Sequence, residues 1–151
     1  MDPNASIDGS GGSFYVLGDQ QIYQPDSTRP GRGVYIGGTF MYASPNVASI
    51  TQYDEARAYW VGPFDSRPSD MISLVWAHND ISKYVAATPF NPLTGVGVAP
   101  FTNTYTASYA ARLAAGTYLT VGLSYSDHPS VRYFQGEGSA LNFVSSLTLV
   151  F

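Results

Sequence analysis

The stretch that most limits what this chain can become is its last one, residues 139–151, reading SALNFVSSLTLVF. Counting back from the end by twos gives Phe151, Leu149, Leu147, Ser145, Phe143 and Leu141; the alternate positions are Val150, Thr148, Ser146, Val144 and Asn142. One row is nearly all apolar and the other mostly small and polar. A period of two over this length predicts a strand with two unlike faces. The run exceeds the roughly 5–6 residues of an average soluble strand. It suits a tilted strand that crosses hydrocarbon, which takes about 9–11. An amphipathic strand of a soluble sandwich that happens to end on Phe remains the alternative at this point.

Six further strands are predicted upstream, at residues 14–24, 33–43, 49–62, 70–80, 102–113 and 117–126, each alternating in the same way. Phe14, Val16, Gly18 and Ile22 fall on one face of the first, with Tyr15, Leu17, Asp19, Gln21 and Tyr23 on the other. On the third, Thr51, Tyr53, Glu55, Arg57 and Tyr59 oppose Ala56, Ala58 and Trp60. Residues 1–13, mostly Gly, Ser, Asp and Asn, read as a flexible linker, and residues 14–151 as one β-domain. Residues 81–101 form the longest stretch without a pattern, and residues 114–116 the tightest connection. Only 12% of residues are charged, against the usual quarter or so. With 12 Tyr and 15 Gly, this suits a sheet whose faces alternate between lipid and water. No stretch approaches the ~18 apolar residues of a transmembrane helix. The net charge of −4 argues against nucleic acid as a partner. Without Cys there is neither a disulfide framework nor a thiolate site.

Connection lengths and aromatics both bear on a barrel. With Phe151 on the periplasmic side, residues 81–101 and 127–138 become outer loops and residues 114–116 an inner turn, as such barrels require. The turns at residues 25–32 and 63–69 are somewhat long for the periplasmic side, and the turn at 44–48 is short for the outside. Tyr42, Trp60, Trp76, Tyr105, Tyr125 and Phe151 lie near strand ends on the apolar register. There they are expected to form the girdles at the membrane–water interface.

The terminal pattern, an aromatic with Leu two and four positions before it, resembles the closing strand of bacterial outer-membrane β-barrels. FYVLGDQQIYQ at residues 14–24 resembles the aspartate–glutamine–tyrosine strand of carbohydrate-selective porins of the OprB type. The polar turn and the strand at 33–42 that follow fit as well. Asp127-His128-Pro129 is similar to the proline-containing turn before that family's last strand. The resemblance covers most of residues 14–151. It implies a Gram-negative outer-membrane channel of about sixteen antiparallel strands that passes sugars. Its expected partners are outer-membrane lipid, small sugars, and the assembly machinery that reads the last strand. About seven strands are present, and an open sheet edge has no hydrogen-bond partners in lipid. The chain is therefore expected to be the C-terminal portion of a larger barrel, closed by a missing half or a second chain. The N-terminus has no basic region and no apolar run. Either an export signal has been removed or the chain is a piece of a longer protein. Asn4-Ala5-Ser6 has the form of a glycosylation acceptor, too short to carry weight.

Asp19, Tyr53, Glu55, Arg57, Tyr59 and Arg112 are the residues expected to line a sugar path, since hydroxyls need carboxylates, Arg and aromatic faces. The bland reading is that these charges only solvate the wall or pair across strands. His78 and His128 lie far apart without metal-ligand spacing. Asp54 and Glu55, adjacent on a strand, point to opposite faces. No phosphate-binding loop, dinucleotide fingerprint or nucleophile elbow occurs. The expectation is a channel wall with no enzymatic chemistry and no cofactor. A soluble lectin-like sandwich and a structural barrel without a channel are the competing readings.

Overall fold

The computed structural model describes residues 11–86, 96–128, 132–134 and 138–150. Seven long strands make one antiparallel sheet: β1 (Ser13–Tyr23), β2 (Gly33–Ala43), β3 (Ile50–Val61), β4 (Met71–Ile81), β6 (Phe101–Ala114), β7 (Thr117–Asp127) and β9 (Ser139–Leu149). They pair as neighbours in chain order, and β1 and β9 are the sheet's two edges. One helical turn, α1 (Lys83–Ala86), and a two-stranded ribbon of β5 (Val96–Val98) with β8 (Arg132–Phe134) complete the described elements. The ribbon joins the β4–β6 and β7–β9 loops by backbone hydrogen bonds. Its three-residue strands are too short to show a period in sequence.

All seven expected strands form, with ends within one or two residues of expectation. The length follows from the unbroken alternation; the breaks follow from local chemistry. Gly116, at φ 70°, turns β6 into β7, and its carbonyl accepts from the Val150 N–H at 2.7 Å, which pins the end of β9. The long turns at the same end are folded rather than loose. Arg32 donates through Nε to the Gly62 carbonyl at 2.7 Å and pairs with Asp65 at 2.6 Å. Gln21 donates to the carbonyls of Pro30 and Arg32, each at 3.1 Å. The expected 1–13 linker and Asn4 lie outside the described residues, apart from residues 11–13. Gly12 accepts from Ser44 N–H at 3.0 Å.

The two faces have opposite exposure from those of a soluble sheet. On β4, β6 and β7 the exposed side chains include Ile72, Leu74, Tyr105, Leu123 and Tyr125. Their polar alternates Ser73, Thr104, Thr106 and Ser124 are sheltered, Ser124 to 9%. Only Ala43, Ile81 and Ala99 are buried apolar residues among those described. Among the described residues there is no hydrophobic core between layers; the apolar face is left outside.

The apolar band on that outer face drops towards the turn end between β2 and β3, and its loop-side border then follows one hydrogen-bond row from β3 to β7. On β1 it is Phe14 and Val16, near the loop end; on β9 it reaches Leu147 and Leu149, near the turn end. On β3, β4, β6 and β7 the loop end of the same face turns polar, with Asp54, His78, Asn103 and Asp127 side by side across successive strands.

One facing differs from expectation. A bulge between Gln21 and Tyr23 sets Tyr23 opposite Val34, so Tyr23 leaves the polar face on which simple alternation places it.

Candidate functional site in the polar wall

The polar face divides into two fields. β1–β3 carry charges and phenol rings. β4–β9 carry hydroxyls. One hydrogen-bond row crosses both: Asp19, Gly37, Arg57, Val75, Thr106, Ser124 and Asn142.

Arg57 is the hub of the first field. Its Nε donates to Asp19 Oδ1 and its Nη2 to Asp19 Oδ2, both at 2.8 Å, a bidentate fork. Its Nη1 donates to Thr39 Oγ1 at 3.0 Å and to Glu55 Oε1. The Tyr53 hydroxyl donates to the other Glu55 oxygen. The side chains of Arg57 and Glu55 are about one-fifth exposed and that of Asp19 about one-third. Beside them Tyr35 and Tyr59 stack face to face, centroids 5.0 Å apart and planes at 1°.

Asp19 and Arg57 stand on strands that are not neighbours; β2 runs between them. The pair closes because Gly37 has no side chain. A Cβ there would lie 2.0 Å from Asp19 Oδ1 and 2.7 Å from the Gly18 carbonyl oxygen. Gly37 was not among the expected site residues, and neither were Thr39 and Tyr35. A glycine in the middle of a strand, opposite charged residues, is the available signal for a close crossing.

Four of the five Arg57 N–H groups are thus held by protein oxygens. What the cluster has left unspent is acceptor capacity, since each ionised carboxylate has about four lone-pair sites. The paired phenol rings add an apolar face. The second field adds cross-strand hydroxyl pairs: Ser73 with Ser108 at 2.7 Å, Thr104 with Ser126 at 3.1 Å and Thr106 with Ser124 at 3.0 Å. Each hydroxyl can both donate and accept. This wall presents neutral groups of both polarities next to one small, largely self-compensated ionic cluster.

Of the six expected lining residues, Asp19, Tyr53, Glu55, Arg57 and Tyr59 come together. Arg112 does not. It lies at the turn end, where Nη1 donates to Ser69 Oγ at 3.2 Å and its backbone N–H donates to Asp70 Oδ1 at 2.9 Å. Buried Asp70 also accepts from Arg67 and from the Tyr109 hydroxyl. That node fastens the β3–β4 turn to β6. The Arg67 guanidinium foremost holds the Asp70 carboxyl down at about 2, against the upward push of burial.

Tyr42, Trp60, Trp76, Tyr105 and Tyr125 all lie on the apolar face; Phe151 lies outside the described residues. Trp76, Tyr105 and Tyr125 share one row directly below the polar row of His78, Asn103 and Asp127. They mark the border of the apolar band and not the ends of strands, which continue past it. Trp60 lies towards the turn end, and Tyr42 sits higher, 6.0 Å from Phe14. His78 and His128, distant in sequence, both pack on the Phe101 ring, at 5.7 and 5.0 Å. Asp54 and Glu55 occupy opposite faces, as expected.

Comparisons with known proteins agree with this architecture. Searches of curated proteins and of solved structures returned no match. Residues 3–142 match the carbohydrate-selective porin, OprB family. A self-pairing antiparallel wall with its grease outside and its hydroxyls inside accords with that match over nearly the whole chain, and the chain belongs to the carbohydrate-selective porin, OprB family.

Proposed function

We propose that this chain forms part of the wall of an outer-membrane channel through which small, uncharged sugars diffuse passively. The observation that carries this reading is the inverted exposure of β4, β6 and β7, with polar residues sheltered and apolar residues outside. Such a wall stabilises hydrated solute inside while the outer face meets acyl chains. Asp19, Glu55 and the lumen hydroxyls receive and donate hydrogen bonds to sugar, and the Tyr35–Tyr59 stack lies against a ring face. The strands that close the barrel come from the rest of a longer chain or from a second chain, and β9 is the segment that the outer-membrane assembly machinery engages. No bond is made or broken in transit.

The test is single-channel conductance of the complete barrel in a planar bilayer. Glucose or a maltodextrin in the bath is expected to reduce the ion current reversibly and with saturation. A current indifferent to every sugar tested removes sugar preference from the proposal. Failure to form channels at all removes the channel.

A further inference from the structure

The turn end of the sheet has the opposite chemistry from the polar wall. Arg29, Arg32, Arg67 and Arg112 stand there, against the carboxylates of Asp26, Asp65 and Asp70. Asp26 pairs with Arg29 at 3.6 Å, Asp65 with Arg32 at 2.6 Å, and Asp70 with Arg67. Arg112 is the cation left over, for no carboxylate among the described residues pairs with its guanidinium. Arg112 and Arg67 line one notch of about 200 Å³, between the 62–70 turn and the end of β6, together with Ser66 and Ser69.

Asp70 builds this notch and has nothing left to give it. It is 1% exposed. Its oxygens accept twice from the Arg67 guanidinium, once from the Tyr109 hydroxyl and once from the Arg112 backbone N–H. Those bonds use the roughly four lone-pair sites of a carboxylate. The turn is held as well by the Arg67 N–H on the Phe64 carbonyl at 3.1 Å and the Gly62 N–H on the Asp70 carbonyl at 2.8 Å. Arg67 is thereby clamped along one edge, its Nε and Nη2 donating to Asp70 and to the Arg112 carbonyl. Its Nη1 has no acceptor among the described residues. Arg112 donates from Nε to the Ala114 carbonyl at 3.4 Å and from Nη1 to Ser69 Oγ at 3.2 Å, both neutral oxygens. Three of its five N–H groups remain, and Arg67 Nη1 adds two more. The notch is therefore rich in donors, charged and pre-formed, where the Arg57 cluster is self-compensated.

We propose that this notch binds a phosphate group, whose oxygens accept from both guanidiniums. The planar fork of Arg matches phosphate geometry, and the unpaired charge of Arg112 favours an anion. A neutral sugar hydroxyl answers neither the charge nor the excess of donors. A phosphorylated solute at the channel mouth and an anionic lipid head at the turn-side rim both present this chemistry. The site goes beyond sugar passage, since it needs the folded wall and not a conducting lumen.

Nitrogen-15 NMR of the complete barrel in a nonionic detergent tests this. Inorganic phosphate, exchanged for chloride at constant ionic strength, is expected to shift the Ser69 backbone N–H and Arg67 Nε–H signals with saturation. The dissociation constant is expected on the order of 1 mM, the scale of two exposed charge-assisted hydrogen bonds. Arg112→Gln keeps the backbone N–H that Asp70 accepts, so the turn is retained while affinity falls about tenfold, the loss of one such bond. Arg112→Lys, which keeps the charge and loses the fork, serves if the Gln variant does not assemble, and is expected to weaken binding by about threefold. Glucose 6-phosphate and short-chain phosphatidylglycerol separate the sources: displacement of inorganic phosphate by the first places the ligand at the aqueous mouth, by the second at the membrane rim. Shifts that do not saturate, or affinity unchanged in a folded Arg112 variant, overturn the proposal. So does a carboxylate from the rest of the barrel seated on the Arg112 guanidinium. A barrel that conducts normally and shows no phosphate shift refutes the notch and leaves the channel reading intact.

Discussion

Replacing Arg57 by Gln isolates the electrostatic part of the wall. Asp19 and Glu55 each carry −1 and Arg57 +1, so the cluster has net charge −1 and the variant −2. For an ion passing about 5 Å from the cluster in water, one added unit charge is worth about 0.8 kcal/mol unscreened and about 0.5 kcal/mol at 0.1 M salt. The sign is opposite for cation and anion. The difference between them is therefore about 1 kcal/mol, which raises the potassium-to-chloride permeability ratio roughly fivefold. At 1 M salt the Debye length shrinks to about 3 Å and the same sum leaves less than a twofold change. The assay is the reversal potential of the complete barrel under a KCl gradient, measured in both salt ranges. A ratio that does not move at low salt places Arg57 away from the ion path. A shift that persists at 1 M reflects a reshaped pore and not the lost charge.

Gly37→Ala forces its new methyl onto Asp19 Oδ1 and the Gly18 carbonyl; the Asp19–Arg57 fork is expected to open, with an overpacking cost of about 1–3 kcal/mol in urea unfolding. Retention of wild-type stability and selectivity by that variant would show that the crossing over β2 is not needed. Tyr59→Ala removes half of the stacked phenol pair and is expected to weaken sugar block of the current by about fivefold, near 1 kcal/mol of aromatic contact. Leu123→Arg, on the exposed apolar face, is expected to destabilise the barrel by about 2–4 kcal/mol, whereas Ser146→Lys on the polar face changes little; equal effects would contradict the assignment of faces. Asp70 has a native pKa of about 2 against an ordinary 3.8. Its depressed pKa adds stability that is complete above the ordinary carboxylate range and is lost as pH falls towards 2, about 2 kcal/mol in all. The wild-type minus Asp70→Asn difference in unfolding free energy should therefore shrink between pH 4 and pH 2; a difference flat across that window refutes the role of the Arg67–Asp70–Tyr109 node.

The long strands were legible because alternation runs through ten or more residues in each, and nothing local competes with it. β3 illustrates this: Tyr53, Glu55, Arg57 and Tyr59 fall on one face by counting alone, and the structure keeps them there. Reasoning by alternation fails where a residue is inserted or where a contact skips a strand. The bulge before Tyr23 adds a residue that no composition cue announces. The Asp19–Arg57 fork spans two strand spacings, so neither residue's own strand predicts it, and Gly37 reads as a weak strand former until its neighbours across the sheet are known. Arg112 shares the polar register with the cluster, but register says nothing of height along the strand, and its height puts it with Ser69 and Asp70. The β5–β8 ribbon pairs segments more than thirty residues apart, with too few residues each to carry a pattern.

The sheet's margins carry a constraint of parity. Seven strands that alternate in direction leave β1 and β9 pointing the same way. A twin copy rotated about the pore axis would set β9 alongside a β1 of like direction, where hydrogen bonds slant instead of standing square. A ring in which every neighbour runs opposite must be even in number. A ring closed antiparallel throughout on this sheet would take an odd number of added strands, which an identical arc supplies only at the expense of two like-directed seams.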